Sequence, residues 1–374
     1  MNFIKEFKKG QEGGNKGLSM GKGLEAISTH INGVQRKRYY GVGSPPKVGK
    51  STIVDEGFVI QPWLDALSQD IPIEFIYFSF EMDRVSKEFD FATYFLHYDY
   101  GIEKIELPEG ITVKGSSIID LSSEYLRGRV IDDEGNTVKV STEIEDKLKN
   151  VYYNRIVPLF GEWSDTGVLI RQGYIIFIEK RENPRGIYKY LVKHAEKYGK
   201  VVRTANGTMI GYTRTSEFNK FTIVIIDHMR KVIKEQGFSL KETVDKMSEY
   251  CVELRNYCDF TLVGIIHTNR NIDPGGYRGD MEIYPTGDHI KESGNMSEDV
   301  DYMFTLMDPN DDKYNIKKHF NLTIRDSRGK ILYPNLRSVH LVESRHVPFP
   351  RHFSLIMRGN LKKFEKLKIR ENYD

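Results

Sequence analysis

Short continuous apolar runs alternate along this chain with stretches whose apolar positions recur at helical spacing. The first run, Arg38-Tyr39-Tyr40-Gly41-Val42-Gly43, predicts a strand. A helical stripe follows through Ile53, Phe58, Val59, Trp63 and Leu67. Ile71 to Phe80 predicts a buried strand, and Asp83 is placed to cap the next helix, which carries Phe89, Phe91, Tyr94 and Phe95. Further strands are expected at Gly173 to Ile178, Phe221 to Ile226, Phe260 to Ile266, Val300 to Leu306, Phe320 to Ile324, Val339 to Val342 and Phe353 to Met357. Helices are expected from Pro184 to Tyr198 and after Ser239, which forms a capping box with Glu242. The stripe of that last helix runs Leu240, Val244, Met247, Cys251, Leu254, Cys258.

Polar turns punctuate this pattern. Arg129 to Val140 predicts a hairpin turning at Glu134-Gly135-Asn136, and Val201 to Tyr212 another turning at Asn206-Gly207. A long Gly- and Pro-containing loop spans His267 to Asp288. The tail Leu361 to Arg370 is Lys-rich and helical in character. Apolar strands alternating with helices define an α/β protein with a mainly parallel, helix-flanked central sheet and β-hairpin insertions.

Composition narrows this little. The 374 residues suffice for a large core, and a net charge of +2 announces no global basic field. The two cysteines lie on one apolar helix stripe, which reads as core in a reducing compartment. No apolar run approaches the ~18 residues of a membrane span, and the N-terminus lacks an apolar signal core, so a soluble cytoplasmic protein is expected.

The chemistry concentrates at strand ends. Ser44-Pro45-Pro46-Lys47-Val48-Gly49-Lys50-Ser51-Thr52 fits the phosphate-loop pattern, with Ser44 in place of the usual first Gly. Backbone N–H groups of such a loop and the following helix N-terminus face a polyphosphate. Gly49 allows close approach, Lys50 supplies a point charge from a solvent-facing loop, and the Ser51 hydroxyl can hold Mg²⁺. ATP hydrolysis also needs an acid on the Mg²⁺ side, a group for the attacking water and a positive charge for the transition state. Asp227, Glu81 and His267 each end an apolar strand and supply the first two and a γ-phosphate sensor; Arg325 and Arg328 are candidate arginine fingers.

Taken in order, these segments resemble the RecA-type motor domain of DnaB-like replicative helicases, in a compact phage-like version lacking the N-terminal domain. Ile31-Asn32-Gly33-Val34-Gln35-Arg36 looks like the family's entry segment, and Phe78-Ser79-Phe80-Glu81-Met82 like its catalytic-glutamate motif. Ile225-Ile226-Asp227 resembles the Mg²⁺-binding acid and His267-Thr268-Asn269-Arg270 the coupling motif, with His267 replacing the usual Gln. Ile290-Lys291-Glu292-Ser293-Gly294-Asn295, then Glu298-Asp299-Val300-Asp301, is similar to the segment beside the DNA-binding loop. Arg325-Asp326-Ser327-Arg328-Gly329 stands where the family carries its inter-subunit finger residues, at altered spacing.

The resemblance implies a RecA-like P-loop NTPase core that uses ATP and Mg²⁺, assembles as a ring, hexameric in the family's manner, translocates on single-stranded DNA and unwinds duplex. A primase or helicase loader is the implied protein partner, and host cytoplasm the location if the chain is phage-encoded. Arg270, Tyr277, Arg278 and Lys291 are the implied DNA contacts, with Tyr284 of a type suited to base stacking. The organisation expected is a linker or docking segment at 1–20, an ATPase domain at 21–357 and a basic tail at 358–374. Asp227 follows Glu81 by 146 positions (227 − 81), which marks 101–170 as an insertion. A RecA-type recombinase and a non-translocating regulatory or loading ATPase are the alternatives; a small-molecule P-loop kinase lacks an evident lid-like Arg cluster.

Overall fold

The computed structural model describes residues 16–207, 209–215, 220–268, 283–290, 294–314 and 316–368. Its centre is a nine-stranded sheet. In chain order the strands are β1 (Tyr39–Ser44), β2 (Ile73–Ser79), β3 (Ile175–Ile178), β4 (Phe221–Asp227), β5 (Thr261–His267), β6 (Tyr302–Met307), β7 (Leu336–Ser344), β8 (Arg351–Arg358) and β9 (Lys363–Lys366). Their spatial order is β9-β8-β7-β6-β1-β5-β4-β2-β3. The six strands β1 to β6 run parallel, and β7, β8 and β9 extend the sheet antiparallel. β1, β2 and β4 are buried along their whole length, so they carry no polar alternation and read as continuous apolar runs.

Helices cover both faces because their stripes must leave water with the sheet. The helix Leu240–Cys258 starts at its capping box, with Ser239 Oγ accepting from Glu242 N and Glu242 Oε2 accepting from Ser239 N, and it stops at left-handed Asp259. Its stripe is buried, Cys251 and Cys258 included, and both cysteines are free thiols. The helix Arg84–Tyr100 is capped by Asp83, whose Oδ1 accepts from Ser86 N at 2.8 Å, and ends at Gly101. Trp63 packs fully buried against Phe95 and Tyr174, joining the segment after the phosphate loop to the opposite edge of the sheet.

Residues 101–170 carry two small strand pairs, Lys104–Glu106 with Ile118–Asp120 and Glu162–Trp163 with Leu169–Arg171, and a helix at Thr142–Val151 that the weak periodicity did not announce. Ile105, Leu121, Tyr125, Ile144 and Phe160 from this stretch join the main core. The hairpin expected at Arg129 to Val140 is a turn closed by one bridge, Ile131 to Thr137. The one expected at Val201 to Tyr212 is a true hairpin, Gly199–Arg203 with Met209–Arg214.

Two expectations are corrected. Phe320 to Ile324 is no sheet strand: Phe320 and Asn321 take positive φ and form the turn of a hairpin between Lys318–His319 and Leu322–Thr323. The apolar ring of Phe320 packs its turn, stacking on His352 at 3.7 Å between centroids. The tail is not helical at Lys363–Lys366, which forms the edge strand β9 with Phe364 buried and lysines outward. Lysines on an edge discourage further strand pairing.

Candidate active site

Strand register brings the chemistry together. At the carboxyl ends of adjacent parallel strands, Ser44 pairs in register with His267 and Asp227 with Ser79, two residues before Glu81. Four segments far apart in sequence thus present their ends side by side at one rim of the sheet, where α/β proteins hold ligands.

The phosphate loop leaves β1 at Ser44 and enters a helix at Lys50–Val54, which continues through a π-helical turn, Asp55–Ile60, into Gln61–Ser68. Lys47 and Gly49 have φ of 66° and 111°. Gly49 is required twice over: its φ is left-handed, and a Cβ there would lie 2.6 Å from Met357 Sδ on β8. The loop is also tied from the sheet edge, where Arg337 on β7 donates from Nε to Val48 O at 3.0 Å and pairs with Asp308 at 2.9 Å. Lys47 is exposed, Val48 is buried, and Ser51 and Thr52 are half-buried at the helix start. Lys50 is not solvent-facing as expected: only 7% of it is exposed. Burial pulls its ammonium below the usual lysine range, opposed by the charges of Glu81 and Asp227.

Asp227 is buried, and burial lifts its carboxyl above the ordinary aspartate range despite Lys87. Oδ2 lies 3.3 Å from Tyr77 Oη, whereas Oδ1 is buried with no hydrogen-bond partner among the described residues. An orphan carboxylate oxygen beside a phosphate loop fits a divalent cation or its bound water. Behind it lies a network that sequence reasoning missed. Lys87, 1% exposed, pairs with Asp55 at 2.6 Å and stands 3.9 Å from Asp227; Tyr77 donates to Asp55 at 2.9 Å. Burial opposes the Lys87 charge, yet Asp55 and Asp227 hold its ammonium above the usual range. No sequence signal marks Lys87, which sits amid an ordinary amphipathic helix.

Glu81 is exposed and lines a cleft of about 260 Å³ with His228, Arg230, Lys231 and His267. His267 Nδ1 lies 3.3 Å from Ser44 O. Burial and then Lys50 push the His267 imidazole down to about 4, and burial and then His267 push His228 down to about 2, so both are neutral at ordinary pH. His228 was not singled out by sequence, although it directly follows Asp227. A separate groove of about 1490 Å³, lined by Glu56, Gln61, Tyr94, Arg358 and Lys363, contains none of these catalytic candidates.

The two arginines differ in their surroundings, and neither lines the cleft. Arg325 is spent within the fold: Nη2 donates to Asn310 O at 2.8 Å and pairs with Asp312 at 2.7 Å. Arg328 is exposed on a tight turn in which Asp326 Oδ1 accepts from the N–H groups of Arg328 and Lys330. Arg270, Tyr277, Arg278 and Lys291 lie outside the described residues. The long loop is pinned at its base by a bridge between Thr268 and Ile290. Tyr284 stacks on His340 at 4.8 Å, so its ring is engaged within the protein.

A mainly parallel sheet with the phosphate loop after its first strand and acids at neighbouring strand ends defines a RecA-like P-loop NTPase fold. The structure is similar to that of the ATPase domain of a phage DnaB-like helicase, with a TM-score of 0.62 and 13% identity over 98% of this chain and 97% of that one. It is also similar to a DnaB-like replicative helicase whose structure was described together with its interactions with primase, with a TM-score of 0.60 and 13% identity over 98% of this chain and 66% of that one. The fold is thus the one adopted by the ATPase domains of DnaB-like helicases. No family model and no curated protein matches the sequence. No helix among the described residues is long and apolar enough to cross a membrane.

Proposed function

We propose that this chain is an ATP-driven motor that translocates on single-stranded DNA and unwinds duplex, working as a homo-oligomeric ring. The observation that carries the reading is the convergence of Lys50, Glu81, Asp227 and His267 on one rim of a sheet whose fold is shared with helicase ATPase domains. The loop from Ser44 to Thr52 cradles the phosphates, with Lys50 against the outer ones. Ser51 and Asp227 would hold Mg²⁺, whose charge offsets that of the phosphates. Glu81 takes a proton from the attacking water as its oxygen bonds to the γ-phosphorus. The bridging P–O bond breaks, and ADP leaves with the electron pair. His267 senses the γ-phosphate from its place beside Ser44.

Arg328 is the inter-subunit finger in this reading, since its side chain is exposed while Arg325 is held by Asn310 and Asp312. The site is then completed only by a neighbour. Arg270, Tyr277, Arg278 and Lys291 are the DNA contacts, and a primase or loader is the protein partner. The test is ATPase rate with and without single-stranded DNA, together with mass in solution with nucleotide. Stimulation by DNA in a closed oligomer supports the reading. A filament on DNA would favour a recombinase, and a DNA-indifferent ATPase a regulatory role.

A further inference from the structure

The cleft beside Lys50 presents three side chains aimed at one point. Glu81, His228 and His267 each contribute an atom, and these atoms lie within 4.8 Å of one another. The centre of a triangle that size is about 2.8 Å or less from each corner, the distance of a hydrogen bond to water. The His228 side chain is 0% exposed, yet its Nε2 has no hydrogen-bond partner among the described residues.

Hydrogen bonds on the far side of each ring fix what it offers. His228 Nδ1 accepts from the Arg230 backbone N–H at 3.1 Å, so the neutral ring carries its proton on Nε2. His267 Nδ1 faces the carbonyl of Ser44 at 3.3 Å and donates to it, which leaves Nε2 with a bare lone pair. The rings sit side by side, 4.2 Å between centroids. The cleft therefore offers one donor, His228 Nε2–H, and two acceptors, His267 Nε2 and the Glu81 carboxylate.

We propose that His228 is a catalytic residue that orients the attacking water. The water donates one proton to Glu81 and the other to His267 Nε2, and it accepts from His228 Nε2–H. One lone pair remains, and it is the one left to form the bond to the γ-phosphorus as the bridging bond to ADP breaks and the proton passes to Glu81. Without His228 the water keeps its base but can turn about the Glu81–His267 direction, so the lone pair loses its aim.

The same three groups have the residue types of a transition-metal site, but the hydrogen bonds speak against one. A metal on His228 Nε2 would force the proton onto Nδ1, where it would meet the Arg230 N–H head on. Arg230 and Lys231 on the cleft wall add cationic charge that suits a phosphate rather than a cation.

This inference rests on the ATPase reading, and the experiment separates the two. Steady-state ATP turnover is measured for wild type, Lys50→Ala, His228→Phe and His228→Gln, with Kd for a non-hydrolysable ATP analogue measured alongside. His228→Phe keeps the packing and should lose ~10²-fold or more in kcat, the scale of a lost positioning donor, with Kd within about twofold. His228→Gln retains an N–H donor and should recover most of that loss; His228→Met is the second truncation should the phenyl ring disturb folding. Equal kcat in wild type and both truncations, equal losses in Gln and the truncations, or a parallel loss of analogue binding overturns the role of His228. Stoichiometric Zn²⁺ binding to the nucleotide-free protein that His228→Phe abolishes would overturn it too, in favour of a metal site. If Lys50→Ala hydrolyses ATP as well as wild type, the ATPase reading itself falls and takes this one with it; a dead Lys50→Ala beside a fully active His228→Phe sinks the inference alone.

Discussion

Lys87 reaches from the helix Arg84–Tyr100 to Asp55, one turn into the helix after the phosphate loop, and the two charges meet at 2.6 Å with almost no contact with water. Tyr77 and Asp227 complete the group, so the acid proposed for the Mg²⁺ side is braced by a buried ion pair rather than by solvent. Removing one member leaves an uncompensated buried charge. Lys87→Met should cost ~3–5 kcal/mol of stability in denaturant unfolding. Adding Asp55→Leu should return much of that loss, because the orphaned carboxylate goes too. A single substitution that unfolds at the wild-type midpoint would show that the pair carries no such weight.

Lys50 and Glu81 should fail in different ways. Lys50→Ala removes a buried ammonium whose charge burial already disfavours, so the thermal midpoint should hold or rise while ATP turnover disappears. Glu81→Gln keeps shape and loses the base, so nucleotide affinity should persist with turnover down ~10²-fold or more. Collapse of affinity in Glu81→Gln, with turnover per bound nucleotide intact, would make Glu81 a structural residue.

The arginines can be told apart by stability as well as by rate. Arg325→Ala frees Asn310 O and Asp312, so it should lower the melting temperature. Arg328→Ala should leave the melting temperature alone and reduce ATPase by ~10³–10⁵, the worth of an arginine finger. Mixing Arg328→Ala with Lys50→Ala chains should partly restore turnover, since each supplies what the other lacks at a shared interface. Dead mixtures that nonetheless co-assemble, or a dilute monomer working at full rate, would end the shared-site reading.

A histidine group predicts acid lability. His319, His340 and His352 gather around Phe320, with His319 and His340 almost wholly buried. Burial pushes His319 down to about 4 and His340 well below the ordinary range, so the fold keeps them neutral while the unfolded chain protonates them near 6.5. Stability should therefore be full above about pH 6.5 and fall as pH drops toward 4, by up to ~1.4 kcal/mol per pH unit for each such group. Urea midpoints at pH 7.5, 6 and 5 measure this. Midpoints that do not move, or that His340→Phe leaves equally steep, would contradict it.

Much of the site was legible in the sequence because a buried parallel strand must be apolar along its whole length, and its last residue then stands out. Phe221 to Ile226 announces Asp227, and Ile71 to Phe80 announces Glu81, for that reason. The phosphate loop declares itself because its glycine, lysine and hydroxyl must follow one another along the backbone. Caps such as Ser239 with Glu242 are equally local, and they proved correct.

What the tertiary structure alone decided are relations between positions with no local bond. The register that sets Ser44 beside His267, the burial of Lys50, and the pairing of Lys87 with Asp55 depend on which strands and helices become neighbours. The same holds for His228, whose proton is placed by the backbone of Arg230 and whose partners arrive on two other strands. Phe320 looked like strand because it is apolar, yet its ring packs a turn, and the Lys-rich tail looked solvated until the open edge at β8 gave its backbone a partner. Sequence by itself determines what each segment must hide or expose; only the packed sheet determines beside which charge, ring or open edge it comes to rest.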